Sequence, residues 1–186
     1  LVDRAHRHGV RVILTATLFG DEDVRILLEN EVYRSRFMRQ IRDKIRIGRA
    51  DGVIIDFEGS GQNGWPGEIG DFLRTLTDYI HAEIPGSEVS FASPAIDWNN
   101  RWDFAEIAAS CDYLFVMGYA FSGSWSENAG PTAPLTGPGR TIATMLSDDR
   151  DYGQVTRHHP EKLILGVPYY GCQWQTLNGA PGASVE

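Results

Sequence analysis

At 186 residues, 42% of them apolar, the chain is long enough to bury one core, which fits one domain over residues 1–186. A formal net charge of −8 and a pI near 5.1 exclude the basic stripe that a nucleic-acid surface requires. No run of about 18 apolar residues exists, so no membrane-spanning segment is expected.

The chain opens on Leu1-Val2-Asp3, which reads as the middle of a helix, and no signal region is visible ahead of it. The first β-rich run is Arg11–Thr17. A helix is expected over Glu31 to Ile47, stopped at Gly48. Its arginines and lysine (Arg34, Arg36, Arg39, Arg42, Lys44, Arg46) and the following Arg49 alternate with Phe37, Met38, Ile41 and Ile45, the pattern of a wet helix face. The second run, Gly52–Glu58, precedes a polar loop at 59–64. Between Pro66 and Glu83, Ile69, Phe72, Leu73, Leu76 and Ile80 recur at helical spacing, and Pro85-Gly86 ends that helix. Then come the runs Glu88–Pro94 and Tyr113–Tyr119, a weaker helix between Gly139 and Thr156, and the run Leu163–Tyr169. Near-continuous apolar strands alternating with helices predict a parallel α/β sheet buried on both faces. Length alone leaves both a doubly wound sheet and a barrel open. A complete barrel needs about 250 residues.

Cys111 opens one apparent strand and Cys172 closes another. If those strands lie parallel, the thiols sit roughly 25 Å apart at about 3.3 Å per residue. That is beyond disulfide reach, so two free thiols are expected.

The chemistry concentrates in Asp51-Gly-Val-Ile-Ile-Asp-Phe-Glu58. Strand alternation puts Val53, Ile55 and Phe57 on one face and Ile54, Asp56 and Glu58 on the other. Two carboxylates then share the C-terminal end of an apolar strand, where barrel and open-sheet sites form. They cannot both ionise cheaply, so one pKa should rise, and an acid beside a carboxylate suits glycosidic cleavage. From the strand alone, a merely solvated strand end fits too.

DGVIIDFE resembles the catalytic signature of family 18 glycoside hydrolases, DGxDxDxE, with Asp51, Gly52, Asp56 and Glu58 at matching positions. Val116-Met-Gly-Tyr-Ala120 resembles that family's sixth-strand M-x-Y-D. Lys162-Leu-Ile-Leu-Gly-Val-Pro-Tyr-Tyr-Gly171 resembles its seventh strand, Gly9–Leu14 its third, and Ser124-Trp-Ser…Pro134-Leu the loop after the sixth. The resemblance implies an α/β fold, a (β/α)₈ TIM barrel of which this chain covers about strands 3–7. It also implies hydrolysis of β-linked N-acetylglucosamine polymers (chitin, peptidoglycan or the N-glycan core), retaining and substrate-assisted.

By that resemblance Glu58 protonates the leaving oxygen. Asp56 orients the 2-acetamido group, and Tyr119 donates its hydroxyl to the acetamido oxygen. Met117 shares the parity of Tyr119 and is a candidate pocket residue or core filler. Trp98, Trp125 and Trp174 follow strand ends, where rings stack on sugar faces or pack as ordinary loop residues. Asp97 and Tyr170 are further substrate-binding candidates, while Trp65 and Trp102 read as structural. Three departures stand out: Ile54 replaces the middle Asp, Ala120 replaces the Asp after Tyr119, and Thr17-Leu-Phe-Gly20 lacks the third-strand S-x-G-G. A carbohydrate-binding protein with a decayed site is therefore the alternative, and a two-carboxylate glycosidase on a similar barrel a third.

The five histidines form no ligand-spaced cluster near the motif, so no metal and no other cofactor is expected. The implied partner is an N-acetylglucosamine-containing polysaccharide, with no obligate protein partner inferred. The implied location is extracellular or the cell envelope.

Overall fold

A computed structural model describes residues 1–58, 66–98 and 102–185. The 59–64 loop and Trp65 lie outside the described residues. In chain order the elements are α1 (Val2–Arg7), β1 (Ile13–Phe19), α2 (Asp21–Glu29), α3 (Glu31–Gly48), β2 (Gly52–Glu58), α4 (Pro66–Glu83) and β3 (Glu88–Pro94). There follow α5 (Phe104–Ser110), β4 (Tyr113–Met117), α6 (Ile142–Ser147), α7 (Gly153–His158), a 3₁₀ turn at Pro160–Lys162 and β5 (Leu163–Gly166). The strands neighbour one another in sequence order, β1-β2-β3-β4-β5, as right-handed βα crossovers allow. No helix among the described residues is long and apolar enough to cross a membrane.

Contacts divide the chain into two compact units, Leu1–Ala92 with Trp98–Leu114, and Ser93–Asp97 with Phe115–Glu186. β3 and β4 each begin in the first unit and end in the second.

In the first unit β1 and β2 pair in parallel from Ile13 opposite Gly52 to Phe19 opposite Glu58, and β2 pairs with β3 from Gly52 opposite Glu88 to Ile55 opposite Phe91. The greasy face of β2 is buried: Val53 and Ile55 are inaccessible and Phe57 nearly so. Phe57 meets Phe37 of α3 and Phe72 of α4, with ring centroids 5.9 and 5.8 Å away. All five apolar residues read as the inner stripe of α4 are buried, and each such side chain contributes roughly 1.5–3 kcal/mol. The basic face of α3 is less wet than its pattern suggests. Arg42 donates to Tyr79 Oη at 2.8 Å, and Arg46 donates to the Glu83 carbonyl at 2.8 Å, tying α3 to α4.

One tie occurs twice at the N-terminal edge of this sheet. The Asp51 N–H donates to the Val12 carbonyl at 2.8 Å, while Val12 N–H donates back to Asp51 Oδ2 at 2.6 Å. His6 Nε2 lies 2.8 Å from the same oxygen. Asp112 repeats every element of it: its N–H donates to the Val89 carbonyl at 2.8 Å, its Oδ2 accepts from Val89 N–H at 2.7 Å, and His81 Nε2 lies 3.0 Å away. In both cases an Asp that opens one strand clasps the start of the previous strand and a histidine on the helix before it. Gly52 completes the first clasp. A Cβ there would lie 2.2 Å from the Glu88 carbonyl oxygen, so no other residue permits this approach of β2 to β3.

In the second unit β4 runs out at Met117. Gly118 N–H turns back to the Val116 carbonyl (2.8 Å) and also reaches the Gly166 carbonyl of β5 (3.0 Å), and Ala120 has a left-handed φ of 59°. The strand expected to reach Tyr119 therefore stops two residues short, and the parity used to group Met117 with Tyr119 has no extended backbone beneath it. β5 stops at Gly166, before Pro168, which has no N–H to continue a ladder. The helix expected between 139 and 156 is two helices. Asp148 Oδ1 accepts from Arg150 N–H at 3.0 Å, a local bond that competes with helix continuation. Both cysteines are free, as expected.

The Asp51 tie makes a stability prediction. Its hydrogen bonds from Val12 and His6 hold the Asp51 carboxyl below its ordinary pKa. A depressed folded pKa adds stability above the unfolded carboxylate value, and that stability is lost as pH falls through the folded pKa. Asp51→Ala in the full-length protein should cost about 1–3 kcal/mol at neutral pH by urea titration. The deficit should shrink on acidification through the carboxylate range; a deficit independent of pH would show that the ionised carboxylate is not what holds the strands.

Candidate active site

Ile54, Asp56 and Glu58 share one face of β2, beside Thr15, Thr17 and Phe19 of β1 in register. Ser90 of β3 stands opposite Ile54. The row at Ile54 thus holds Thr15, Ile54 and Ser90, none of them charged, and the carboxyls begin one row higher. Asp56 is half-buried and Glu58 is exposed at the strand end.

Both carboxyls titrate above their ordinary values. Burial is the first cause for Asp56, partly offset by a hydrogen bond from Glu58. For Glu58, exposed by area, desolvation still leads, followed by the negative charge of Asp56 and the hydrogen bond to it. The two carboxyls are joined by a hydrogen bond and titrate as a coupled pair, so their upward shifts belong to the pair. Asp56 Oδ1 is buried without a hydrogen-bond partner among the described residues. A buried acceptor of this kind is uncommon and marks a place where a donor belongs.

The remaining candidates divide between the units. Trp98, in the first, is 67% exposed. Trp102, also in the first, stacks on Phe104 with centroids 6.4 Å apart and meets Phe91 at 5.8 Å, in line with its structural reading. In the second unit Tyr119 and Tyr170 meet edge to face at 6.0 Å, which brings two of the candidates together. Met117 and Trp174 are half-buried, and Trp125 is exposed beside Gly123, where an added Cβ would strike its ring. Asp97 is buried, and its N–H donates to Asp151 Oδ1 at 2.9 Å. The sequence reading missed Thr17 as the register neighbour of Asp56, and missed Arg140, Asp151 and Tyr152 behind Asp97. Only strand pairing reveals the first, and nothing local in the sequence signals the others. Among the described residues no group of three or more His, Cys, Asp or Glu side chains is placed to hold a metal ion.

A sequence model of "Glycosyl hydrolases family 18" matches residues 10–184. The chain belongs to that family. "Probable chitinase 2" of Drosophila melanogaster is 30% identical over 181 residues, covering 94% of this chain and 37% of the relative. Human "Di-N-acetylchitobiase" is 31% identical, covering 94% and 44%. The chain thus spans about two fifths of the curated relatives it matches. Among solved structures, a family 18 chitinase from Cycas revoluta in complex with allosamidin superposes with a TM-score of 0.82 at 22% identity, covering 98% of this chain and 57% of that one. These likenesses, with the five strands in sequence order, make the fold an α/β segment of the (β/α)₈ barrel.

The raised Asp56 pKa sets an expectation for stability. A carboxyl whose folded pKa exceeds its unfolded value disfavours folding once pH passes above both, because the ionised form is held in a poorly solvated place. Asp56→Asn should therefore melt no lower than the parent at neutral pH, and the two melting temperatures should converge as pH falls below the carboxylate range. A variant melting lower at neutral pH than at acid pH relative to the parent would reverse the sign.

Proposed function

We propose that the protein hydrolyses β-1,4-linked N-acetylglucosamine-containing polysaccharide by a retaining, substrate-assisted route, with Glu58 as general acid and base. The observation that carries this reading is the Asp56–Glu58 pair: two carboxyls on one face of the end of β2, both raised above their ordinary pKa, with Asp56 Oδ1 buried and unpartnered among the described residues. Glu58 gives its proton to the glycosidic oxygen as the bond to the anomeric carbon breaks. The carbonyl oxygen of the substrate's 2-acetamido group attacks that carbon from the opposite face and closes an oxazolinium ring. Asp56 accepts the acetamido N–H on Oδ1 and balances the positive charge that develops. Tyr119 donates its hydroxyl to the acetamido oxygen. Glu58, now a carboxylate, takes a proton from the water that opens the ring, and two displacements leave the anomeric configuration retained.

The family membership and the names of the two relatives support chitin-type substrates; peptidoglycan and the chitobiose core of N-glycans carry the same acetamido sugar. Trp98, Trp125, Trp174, Tyr170, Asp97 and Met117 are the proposed substrate contacts within a single catalytic domain. An extracellular or cell-envelope location goes with such polymers.

In the full-length protein Glu58→Gln should lose about 10² to 10⁴ in kcat/KM on a chromogenic chitobioside, the scale of a positioned general acid. Turnover unchanged by that substitution would end the proposal. A substrate with a 2-hydroxyl in place of the acetamide should not be cleaved; if it is, the enzyme stands and the nucleophile assignment falls.

Ile54 offers a separate check. Ile54→Asp places a third coupled carboxyl in the row beneath the pair and should change the shape of the kcat/KM profile against pH, whereas Ile54→Val should leave the shape alone. Identical profiles for a folded Ile54→Asp would mean residue 54 does not face the pair.

A further inference from the structure

The end of β3 is held in an unusual way. Ser93–Asp97 segregates with residues 115–186 rather than with the strand's own start, and two consecutive residues of the loop between α6 and α7 bond to it. Tyr152 is wholly buried, with its phenol oxygen 2.8 Å from Ser93 Oγ and 2.5 Å from the Pro94 carbonyl oxygen. Asp151 has an inaccessible side chain; Oδ1 accepts the Asp97 N–H at 2.9 Å and Oδ2 pairs with Arg140. Arg140 is held in turn by Asp148 at 2.9 Å. Burying a carboxylate and its partner guanidinium is costly, and such pairs are weak contributors to stability against an apolar alternative. Here the buried carboxylate, paired with a half-buried guanidinium, accepts a backbone N–H just past the C-terminal end of a parallel strand, where sites of this architecture form.

The next residue after that anchored amide is Trp98, a residue 67% exposed. An exposed indole gains little for the fold. A ring whose backbone is already fixed loses less freedom on binding than a mobile one, which favours association with a flat apolar ligand face.

We propose that Asp151 and Arg140 are positioning residues that fix the backbone at Asp97, so that Trp98 stands as a preformed platform for the apolar face of a pyranose ring. This rests on the carbohydrate-hydrolase reading above and assigns binding strength to a half-buried ion pair that is not itself a substrate contact. Trp98 is the contact; Asp151 and Arg140 act through it.

The test is a double-mutant cycle in the full-length protein. Binding of tetra-N-acetylchitotetraose is measured by calorimetry in a Glu58→Gln background, and KM and kcat are measured in the parent. Trp98→Ala should weaken binding roughly three- to tenfold, the scale of one aromatic contact. Asp151→Ala should weaken it by a similar factor and raise KM more than it lowers kcat. Asp151→Asn, which keeps a carbonyl oxygen for the Asp97 N–H, should recover most of the loss. Trp98→Ala combined with Asp151→Ala should be no worse than the weaker single variant, because both remove the same contact. If Asp151→Ala does not fold, Arg140→Gln enters the same cycle with Trp98→Ala. Additive losses, or an Asp151 or Arg140 variant that binds normally while Trp98→Ala does not, would overturn the positioning role. Normal binding by Trp98→Ala would overturn the platform. Failure of the Glu58→Gln parent to bind the oligosaccharide, with no cleavage by the unmodified protein, would instead remove the carbohydrate reading itself.

Discussion

Everything at the candidate site depends on the register of β2 against β1. Side chains alternate with a period of two, so a slip of one residue would turn Asp56 and Glu58 into the helix layer and push Ile55 and Phe57 out of it. The greasy face alone resists this, since Val53, Ile55 and Phe57 are buried. Asp51 resists it again, chemically, by exchanging two hydrogen bonds with Val12 and taking a third contact from His6. Gly52 adds a steric condition, because only a glycine passes the Glu88 carbonyl. Four of the signature's residues thus divide into two jobs. Asp51 and Gly52 set where the strand lies; Asp56 and Glu58 use the place so fixed.

The same strand shows how environment sorts identical groups. Asp51 accepts hydrogen bonds from donors already in place, and its ionised form is favoured. Asp56 and Glu58 are partly desolvated and each is paired with the other acid, so their ionised forms are disfavoured. The first arrangement favours a well-held strand start. The second works against the fold and favours the protonated forms, the opposite of what stability alone would select. That contrast, within eight residues, is stronger ground for chemistry at the strand end than the presence of two acids there.

Periodic elements were legible in the sequence because their burial is periodic. The stripe of α4 and the spans of β2 and β3 were read to the residue, since Pro66, Pro85-Gly86 and the alternating apolar runs punctuate them. α2 went unread although Val24, Leu27 and Leu28 have helical spacing, because the element is short and opens on three acids. The ends of β4 and β5 were overrun: an apolar run continues through Tyr119 and Tyr169, but a backbone turn at Gly118 and the imino nitrogen of Pro168 stop the ladder. The anchor at Asp97 was invisible. Its partners lie more than 50 residues away, in a loop whose Asp148-Asp-Arg-Asp151 composition reads as plain solvated charge.

The row beneath the pair gives the sharpest reading of how this site differs from its family pattern. Thr15, Ile54 and Ser90 offer no charge, and the Ser90 hydroxyl is already committed to Glu88 at 2.6 Å. A middle acid at position 54 would give Asp56 a second proton-sharing partner and a second resting orientation. With isoleucine there, the carboxyl that Asp56 bonds among the described residues is Glu58. Asp56 is then held toward Glu58 before any ligand arrives, with Oδ1 buried and unpartnered on its other side. Losing the middle acid therefore removes a conformational choice while leaving the acid–carboxylate couple intact. The couple needs only two groups, one proton and a strand whose register cannot slip.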